Sequence, residues 1–237
     1  DIDLNAVKQN YLTIKKICNG SEVCGTVKAS SYGLGGQNKI VTKLKKIGCN
    51  RFFVANINEG IFIRSKFKSI IINILNGLHK NEEKIFYKYK LNPVINSVTQ
   101  LKKWLKFLKN KKKDRLIIHF DTGMCRLGIQ EKDIKEVLKL KTQIDKFKEV
   151  IIMSHLACAG EKKDPFNEIQ RKKFEKIKTL LPGYKYSLAA SGGIFLGKKY
   201  HYDLVRPGIN LYGGSKSYNK NLKHVVSLKS PIIQINE

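Results

Sequence analysis

Eight short apolar, β-branched runs recur along the chain: "VCGTVKA" (23–29), "RFFVAN" (51–56), "SIIINIL" (69–75), "NPVINS" (92–97), "RLIIHFD" (115–121), "EVIIMSHL" (149–156), "KYSLAA" (185–190) and "DLVRPGI" (203–209). Between most of them lie segments such as "SVTQLKKWLKFLKNKK" and "QEKDIKEVLKLKTQIDKF". These place apolar residues three or four apart with Lys or Glu elsewhere, the pattern of a helix with one buried face. Strands that alternate with helices imply a parallel sheet, because each return to the same edge needs a crossover. Eight such units in 237 residues predict an α/β fold closed as a (β/α)8 TIM-type barrel. An open doubly wound sheet is the alternative. No Pro/Gly/Ser-rich linker and no repeat divides the chain, so residues 1–237 are expected to form one domain.

Composition bounds what such a barrel can serve. Lys plus Arg number 46 against 19 Asp plus Glu, a formal net charge of +27. A charge of this size suits nucleic acid through counterion release. Only six of the cations are arginine, however, and the forked guanidinium is what reads base edges and phosphates. The scattered lysines argue against a dedicated nucleic-acid partner. No apolar run approaches the ~20 residues of a membrane span, and no signal-peptide pattern opens the chain. It reads as soluble and cytoplasmic. The five cysteines are odd in number and form no CxxC pair, which points to reduced thiols. His155 and Cys158 alone are too few for a metal site.

In barrels of this type the chemistry gathers at the C-terminal ends of the strands. Strand alternation puts Cys24, Thr26 and Lys28 on one side of the first run and Val23, Gly25 and Val27 on the other. If the more apolar set faces the helices, Lys28 points into the barrel mouth. A desolvated lysine there is more easily deprotonated and nucleophilic, as a Schiff-base lysine must be. The other strand ends supply matching parts. "DTGMCRLG" brings Arg126 back over the mouth, His155 precedes "LACAGE", and "ASGGI" offers the Ser191 hydroxyl and backbone N–H groups to a phosphate. "VRPGINLYGG" adds Arg206, Gly208, Ile209 and Tyr212.

In this order and spacing, "VKASSYGLGG", "DTGMCRLGI", "SHLACAGE" and "DLVRPGINLYGGS" resemble the alanine racemase family, and the opening "DIDLNAVKQNYLTIKK" is similar to that family's first helix. The resemblance covers essentially the whole chain. It implies a fold-type III barrel with pyridoxal 5'-phosphate as cofactor and alanine as substrate. It also implies a cytoplasmic homodimer that interconverts L- and D-alanine for peptidoglycan. On the same resemblance Lys28 bears the cofactor and serves as one of two racemisation bases. Tyr32, Ser191, Gly208 and Ile209 form the phosphate cup, and Arg206 donates to the pyridine nitrogen. Arg126 lies near the cofactor's phenolic oxygen and the substrate carboxylate, and His155 helps orient the site.

Three departures from the family pattern stand out. Where the family often has a lysine, carbamylated in some members, this chain has His119, and an imidazole holds no stable carbamate. The family's asparagine before the phosphate-binding serine is Ala190. The family also continues past "SLKSPIIQINE" into a β-rich second domain, which carries a tyrosine that acts as the opposite-face base across a dimer interface. The expectation is therefore the cofactor half of a racemase. The alternative is a stand-alone pyridoxal-phosphate-binding barrel without racemase activity.

Overall fold

The computed structural model describes residues 1–214 and 221–235. Every apolar run contributes a strand, and every strand pair is parallel. In chain order they are β1 (Glu22–Val23), β2 (Gly25–Thr26), β3 (Arg51–Val54), β4 (Ile71–Ile74), β5 (Asn92–Ile95), β6 (Arg115–His119), β7 (Glu149–Met153), β8 (Lys185–Ser187) and β9 (Leu204–Val205). Strands β2 to β8 pair in sequence order. The first run is split at Cys24: β1 pairs with β9, while β2 pairs with β3. Between β8 and β9 the Asp203 N–H donates to Tyr186 O at 3.1 Å and the Arg206 N–H to Ala189 O at 3.0 Å. The ring of strands is thereby closed.

Helices wrap the outside: α1 (Leu4–Ile17), the short turn α2 (Lys28–Tyr32), α3 (Gln37–Lys46), α4 (Ile57–Lys66), α5 (Glu83–Lys88), α6 (Val98–Phe107), α7 (Ile134–Lys139), α8 (Lys141–Ile144), α9 (Phe166–Leu180) and α10 (Ser191–Ile194). α1 starts where the Asp3 carboxylate accepts from the Asn5 and Ala6 N–H groups, and it buries Val7, Tyr11 and Ile14 on one face. α6 starts where the Ser97 hydroxyl accepts from Gln100 N–H. The "QEKDIKEVLKLKTQIDKF" segment is not one helix. It is a 3₁₀ turn (Glu131–Asp133) followed by α7 and α8, which meet at Leu140, where a Leu140 N–H to Val137 O bond tightens the chain. Ile134, Val137, Ile144 and Phe147 are all buried with that break in place.

Two apolar clusters follow the period of two in the strands. Cys24, Phe53, Val94, Ile117, Ile151, Met153 and Leu204 fill the barrel, and the larger cluster, with Val23, Val27, Phe52, Ile95, Ile118 and Ile152, lies between strands and helices. Alternation therefore sends the first residue of a strand into the bottom of the barrel. There Arg51, only 3% exposed, bridges Glu22 at 2.9 Å and Glu149 at 2.8 Å, and Glu149 also pairs with Lys185 at 2.8 Å and Arg115 at 3.3 Å. Five strand-initial residues thus close the bottom by charge.

Replacing Arg51 by Met would leave Glu22 without its partner and Glu149 with Lys185 and Arg115 only, and breaking a buried pair costs about 3 kcal/mol. Urea unfolding of Arg51→Met should show that loss. Burial opposes ionisation of Glu149, but hydrogen bonds from Lys185 and Arg51 outweigh it and hold the carboxyl below the usual range. Its contribution to stability is therefore present above the unfolded-state value of about 4.3 and lost as pH falls through the depressed folded value. Native and variant stabilities should converge in that acid window.

Candidate active site

The C-terminal mouth opens into a cavity of about 430 Å³ lined by Lys28, Tyr32, His119, Arg126, His155, Ser191 and Arg206 among others. All eight residues expected at the site from sequence line it, Gly208 and Ile209 included.

Lys28 reaches the mouth because the strand stops early. The run expected to extend to residue 29 ends at Thr26, and Ala29, Ser30, Ser31 and Tyr32 then take positive φ of 51°, 49°, 60° and 59°. This is one turn of left-handed helix built from residues with side chains, at roughly 1–2 kcal/mol per residue. The surroundings hold it. Glu59 on α4 accepts from Ser30 N–H at 3.2 Å and from Ala55 N–H at 2.7 Å, and the Gln37 side chain donates to Val27 O. Strain of this kind gathers at functional sites. Its effect here is to start the loop directly at Lys28. The lysine is half-buried, and its pKa is lowered first by that burial and then by the Arg126 charge, against a smaller opposing pull from Glu59.

Arg206 enters the barrel from the end of β9 and is 4% exposed. Its Nη1 donates to Ser187 O at 3.1 Å and to the Ser187 hydroxyl, and its Nη2 to Ser154 O at 2.6 Å and Leu188 O at 3.2 Å. Those bonds use the four Nη hydrogens and leave Nε–H as the donor for the cavity. Burial lowers the Arg206 pKa to about 10, so the group stays cationic at neutral pH.

On the wall between α10 and the segment after β9, Gly208 N–H donates to the Ser191 hydroxyl at 2.9 Å. Burial pushes Tyr32 up to about 12, opposed by a hydrogen bond from the Ile209 amide. The two backbone amides thus support the two hydroxyls, whose protons remain free to donate to an oxyanion. A Cβ at Gly208 would collide with the Tyr32 hydroxyl, which explains the glycine. Gly192 is fixed for a similar reason, since its Cβ would lie 2.6 Å from Ala159 O.

The Asp121 carboxylate shapes the "DTGMCRLG" loop by accepting from the N–H groups of Gly123 and Met124, both at 2.8 Å, and from Cys125 at 3.0 Å. Arg126 projects from this loop, is exposed, and has no carboxylate partner among the described residues. It is available to a ligand carboxylate.

Two histidines face this cation group and stay neutral. Burial, then the Arg206 charge, lowers His119 to about 3, and the same two causes carry His155 well below its ordinary value. The His119 tautomer follows from its neighbour. Asn96 Nδ2 donates to Leu75 O at 2.9 Å and Val94 O at 3.1 Å, which turns Asn96 Oδ1 toward His119 Nδ1 at 2.7 Å. Nδ1 must therefore carry the proton, and Nε2 is left as an acceptor beside the cavity. His155, expected to orient the site from behind, lines the cavity itself. Its loop is held by Gln170 on α9, which donates to His155 O at 3.0 Å and accepts from Ala157 N–H at 2.8 Å. Sequence reading missed Asn96 and Gln170. The period of two in "NPVINS" puts Asn96 on the inward face with Val94 and could have found the first; no local pattern signals the second.

Comparisons with known proteins agree with this geometry. The chain matches the profile "Alanine racemase, N-terminal domain" over residues 2–216. It is 38% identical to the alanine racemase of Rickettsia africae (strain ESF-5), over 99% of this chain and 65% of that protein. The chain therefore spans somewhat less than two thirds of that relative's length. Among solved structures, alanine racemase from Bartonella henselae with covalently bound pyridoxal phosphate is 36% identical with a TM-score of 0.89, over 94% of this chain and 66% of that one. The biosynthetic alanine racemase of Pseudomonas aeruginosa is 27% identical with a TM-score of 0.85, over 94% and 63%. The closed parallel barrel, its lysine-bearing left-handed turn and these matches lead to one conclusion: the chain belongs to the alanine racemase N-terminal domain family.

Proposed function

We propose that this chain is the cofactor-binding barrel of a pyridoxal-phosphate-dependent alanine racemase, with Lys28 as the residue that carries the cofactor and moves the α-proton of alanine. The observation that carries the reading is Arg206, whose Nη hydrogens are all committed to the barrel while one cationic N–H remains for the cavity. Pyridoxal 5'-phosphate, when bound, supplies a conjugated ring that accommodates the electron pair left by a departing proton. The residues present fit that group. Lys28 Nζ would hold it, the Ser191 and Tyr32 hydroxyls with the Gly208–Ile209 backbone would hold its phosphate, and Arg206 Nε–H would meet its ring nitrogen.

An arginine does not readily give up its proton, so Arg206 would leave a ring nitrogen that it meets unprotonated and the ring's electron demand modest. That suits return of a proton to the same carbon. Arg126 would take the alanine carboxylate, and His119, fixed as an acceptor by Asn96, offers Nε2 on the wall of the same cavity without needing a carbamate. A cytoplasmic homodimer completes the reading.

Reconstitution with pyridoxal phosphate, borohydride reduction and peptide mapping test it. The label should fall on the Lys28 peptide, and recovery on any other lysine overturns the assignment. Incubation with alanine in D₂O then separates the alternative, since a stand-alone binding barrel would take the label and exchange no α-proton. Arg206→Glu gives the ring nitrogen a partner able to share a proton. With alanine, that variant should develop a long-wavelength absorption band absent from the native protein. It should also lose at least ~2 kcal/mol of stability, because the carbonyls that Arg206 serves lose their donors.

A further inference from the structure

Tyr32 and Ser191, the two hydroxyls of the cavity wall, come from loops far apart in sequence, yet one 3₁₀ turn, Ile209–Tyr212, holds both. The turn follows Gly208 and is stopped by Gly213, whose φ is 80°. Its backbone is pinned from within and from outside. Leu211 N–H donates to Gly208 O at 2.8 Å, and Asn10 Nδ2 of α1 donates to Leu211 O at 3.2 Å. The turn is therefore a fixed part of the barrel.

Residues three apart eclipse in a 3₁₀ turn, so Ile209 and Tyr212 share a side. That side meets Tyr32. The Ile209 amide supports the Tyr32 hydroxyl, and the Tyr212 ring lies against the Tyr32 ring with centroids 5.1 Å apart. Asn210 points a third of a turn away, toward Ser191. Its Nδ2 donates to Ser191 O at 2.8 Å, and its backbone N–H reaches the Ser191 hydroxyl at 3.5 Å, beside the Gly208 N–H at 2.9 Å. Two amides on the hydroxyl oxygen turn its proton toward the cavity. Ala190, the residue before Ser191, has no polar side chain to do this.

Packing alone does not account for Asn210. It is fully buried, and its Oδ1 has no donor among the described residues. Leucine would fill the same space without a buried unpaired acceptor. What leucine lacks is the donor to Ser191. Tyr212, 6% exposed, is placed with equal economy: its ring backs the one residue of the left-handed turn whose hydroxyl enters the cavity wall.

We propose that Asn210 and Tyr212 are positioning residues for phosphate recognition: Asn210 aims the Ser191 hydroxyl, and Tyr212 aims the Tyr32 hydroxyl, at one oxyanion. The inference rests on the pyridoxal-phosphate reading of this cavity and concerns the phosphate end alone.

Equilibrium dialysis of the 237-residue chain against pyridoxal 5'-phosphate and against pyridoxal, which lacks the phosphate, gives the preference for the phosphate. Asn210→Ala and Tyr212→Leu should each lower that preference at least about tenfold, the worth of one hydrogen bond to a charged group, while pyridoxal affinity changes by less than about threefold. Tyr212→Phe, which keeps the ring, should recover most of what Tyr212→Leu loses. Asn210→Ala should cost nothing further in Ser191→Ala protein, and Tyr212→Leu nothing further in Tyr32→Phe protein, because a residue that acts through another is silent once that one is gone. Additive losses overturn the proposal, and so do equal losses for the two compounds, which would mark a role in the fold as a whole. A native preference that survives in both single variants overturns the proposal and leaves the cofactor reading standing. A native chain that binds both compounds alike overturns the phosphate site and the proposal with it.

Discussion

Lys28→Ala is expected to retain pyridoxal phosphate only by non-covalent contacts and to exchange the α-proton of alanine about 10²–10⁴-fold more slowly than the native chain, the range for loss of one positioned acid/base group. Solvent deuterium incorporation measured by NMR gives the rate, and the visible absorption of the reconstituted protein gives the attachment. A primary amine added to the medium should recover part of the exchange, since the cavity around the deleted side chain is otherwise intact. The pH dependence carries the sharper test. Burial and then the Arg126 charge lower the Lys28 pKa, and Glu59 opposes them. The amine must be free of its proton to act as base, so exchange should rise with pH through a midpoint below the ordinary lysine value of about 10.4. Removing the neighbouring cation in Arg126→Ala should move that midpoint up. Glu59→Gln removes the opposing charge and should move it down. Midpoints that shift in the reverse directions would mean that another group titrates in the rate.

Much of this was legible because a parallel barrel has a period of two. The alternation Cys24, Thr26, Lys28 assigned the lysine to the barrel side, and the structure places Cys24 in the interior cluster with Thr26 and Lys28 on the cavity wall. The same rule read from β5 and β6 carries Val94 to Asn96 and Ile117 to His119, so the hydrogen-bonded Asn96–His119 pair was present in the pattern. What alternation could not show is where strand geometry ends. Nothing in "VKASSYG" announces four successive left-handed residues, because Ala, Ser and Tyr disfavour them. The conformation is imposed from outside by Glu59 and Gln37, which are remote from the turn in local pattern. The Gln170 brace on the His155 loop is invisible for the same reason: a glutamine on an amphipathic helix reads as one more polar residue until the helix is packed. The break at Leu140 escaped a helical reading because its apolar spacing fits one long helix as well as two short ones.

A polypeptide of these 237 residues, loaded with cofactor, should exchange the α-proton of one alanine enantiomer and fail to convert it into the other at an enzymatic rate. The argument rests on which groups at the cavity can act as bases. Racemisation needs one on each face of the planar carbanion, because a proton taken from one side must be returned from the other. Lys28 qualifies on one face. Tyr32 is pushed up to about 12 and receives the Ile209 amide, so it serves as a donor to an anion and not as a base. His119 has its lone pair on Nε2, but a pKa of about 3 makes it too weak a base to take an α-proton, and burial and the Arg206 charge carry His155 well below its ordinary value too. No described residue on the cavity wall supplies the second base, and its loss alone accounts for a further ~10²–10⁴-fold. Chiral chromatography of alanine after incubation reads the outcome, with deuterium at the α-carbon of the recovered enantiomer as the internal control. A β-rich domain from a related racemase, supplied as a partner chain, should restore conversion if it delivers a tyrosine to the open face. Rapid conversion by the 237-residue polypeptide alone would show that Tyr32 or His155 is a working base despite its setting, and Tyr32→Phe and His155→Gln would identify which.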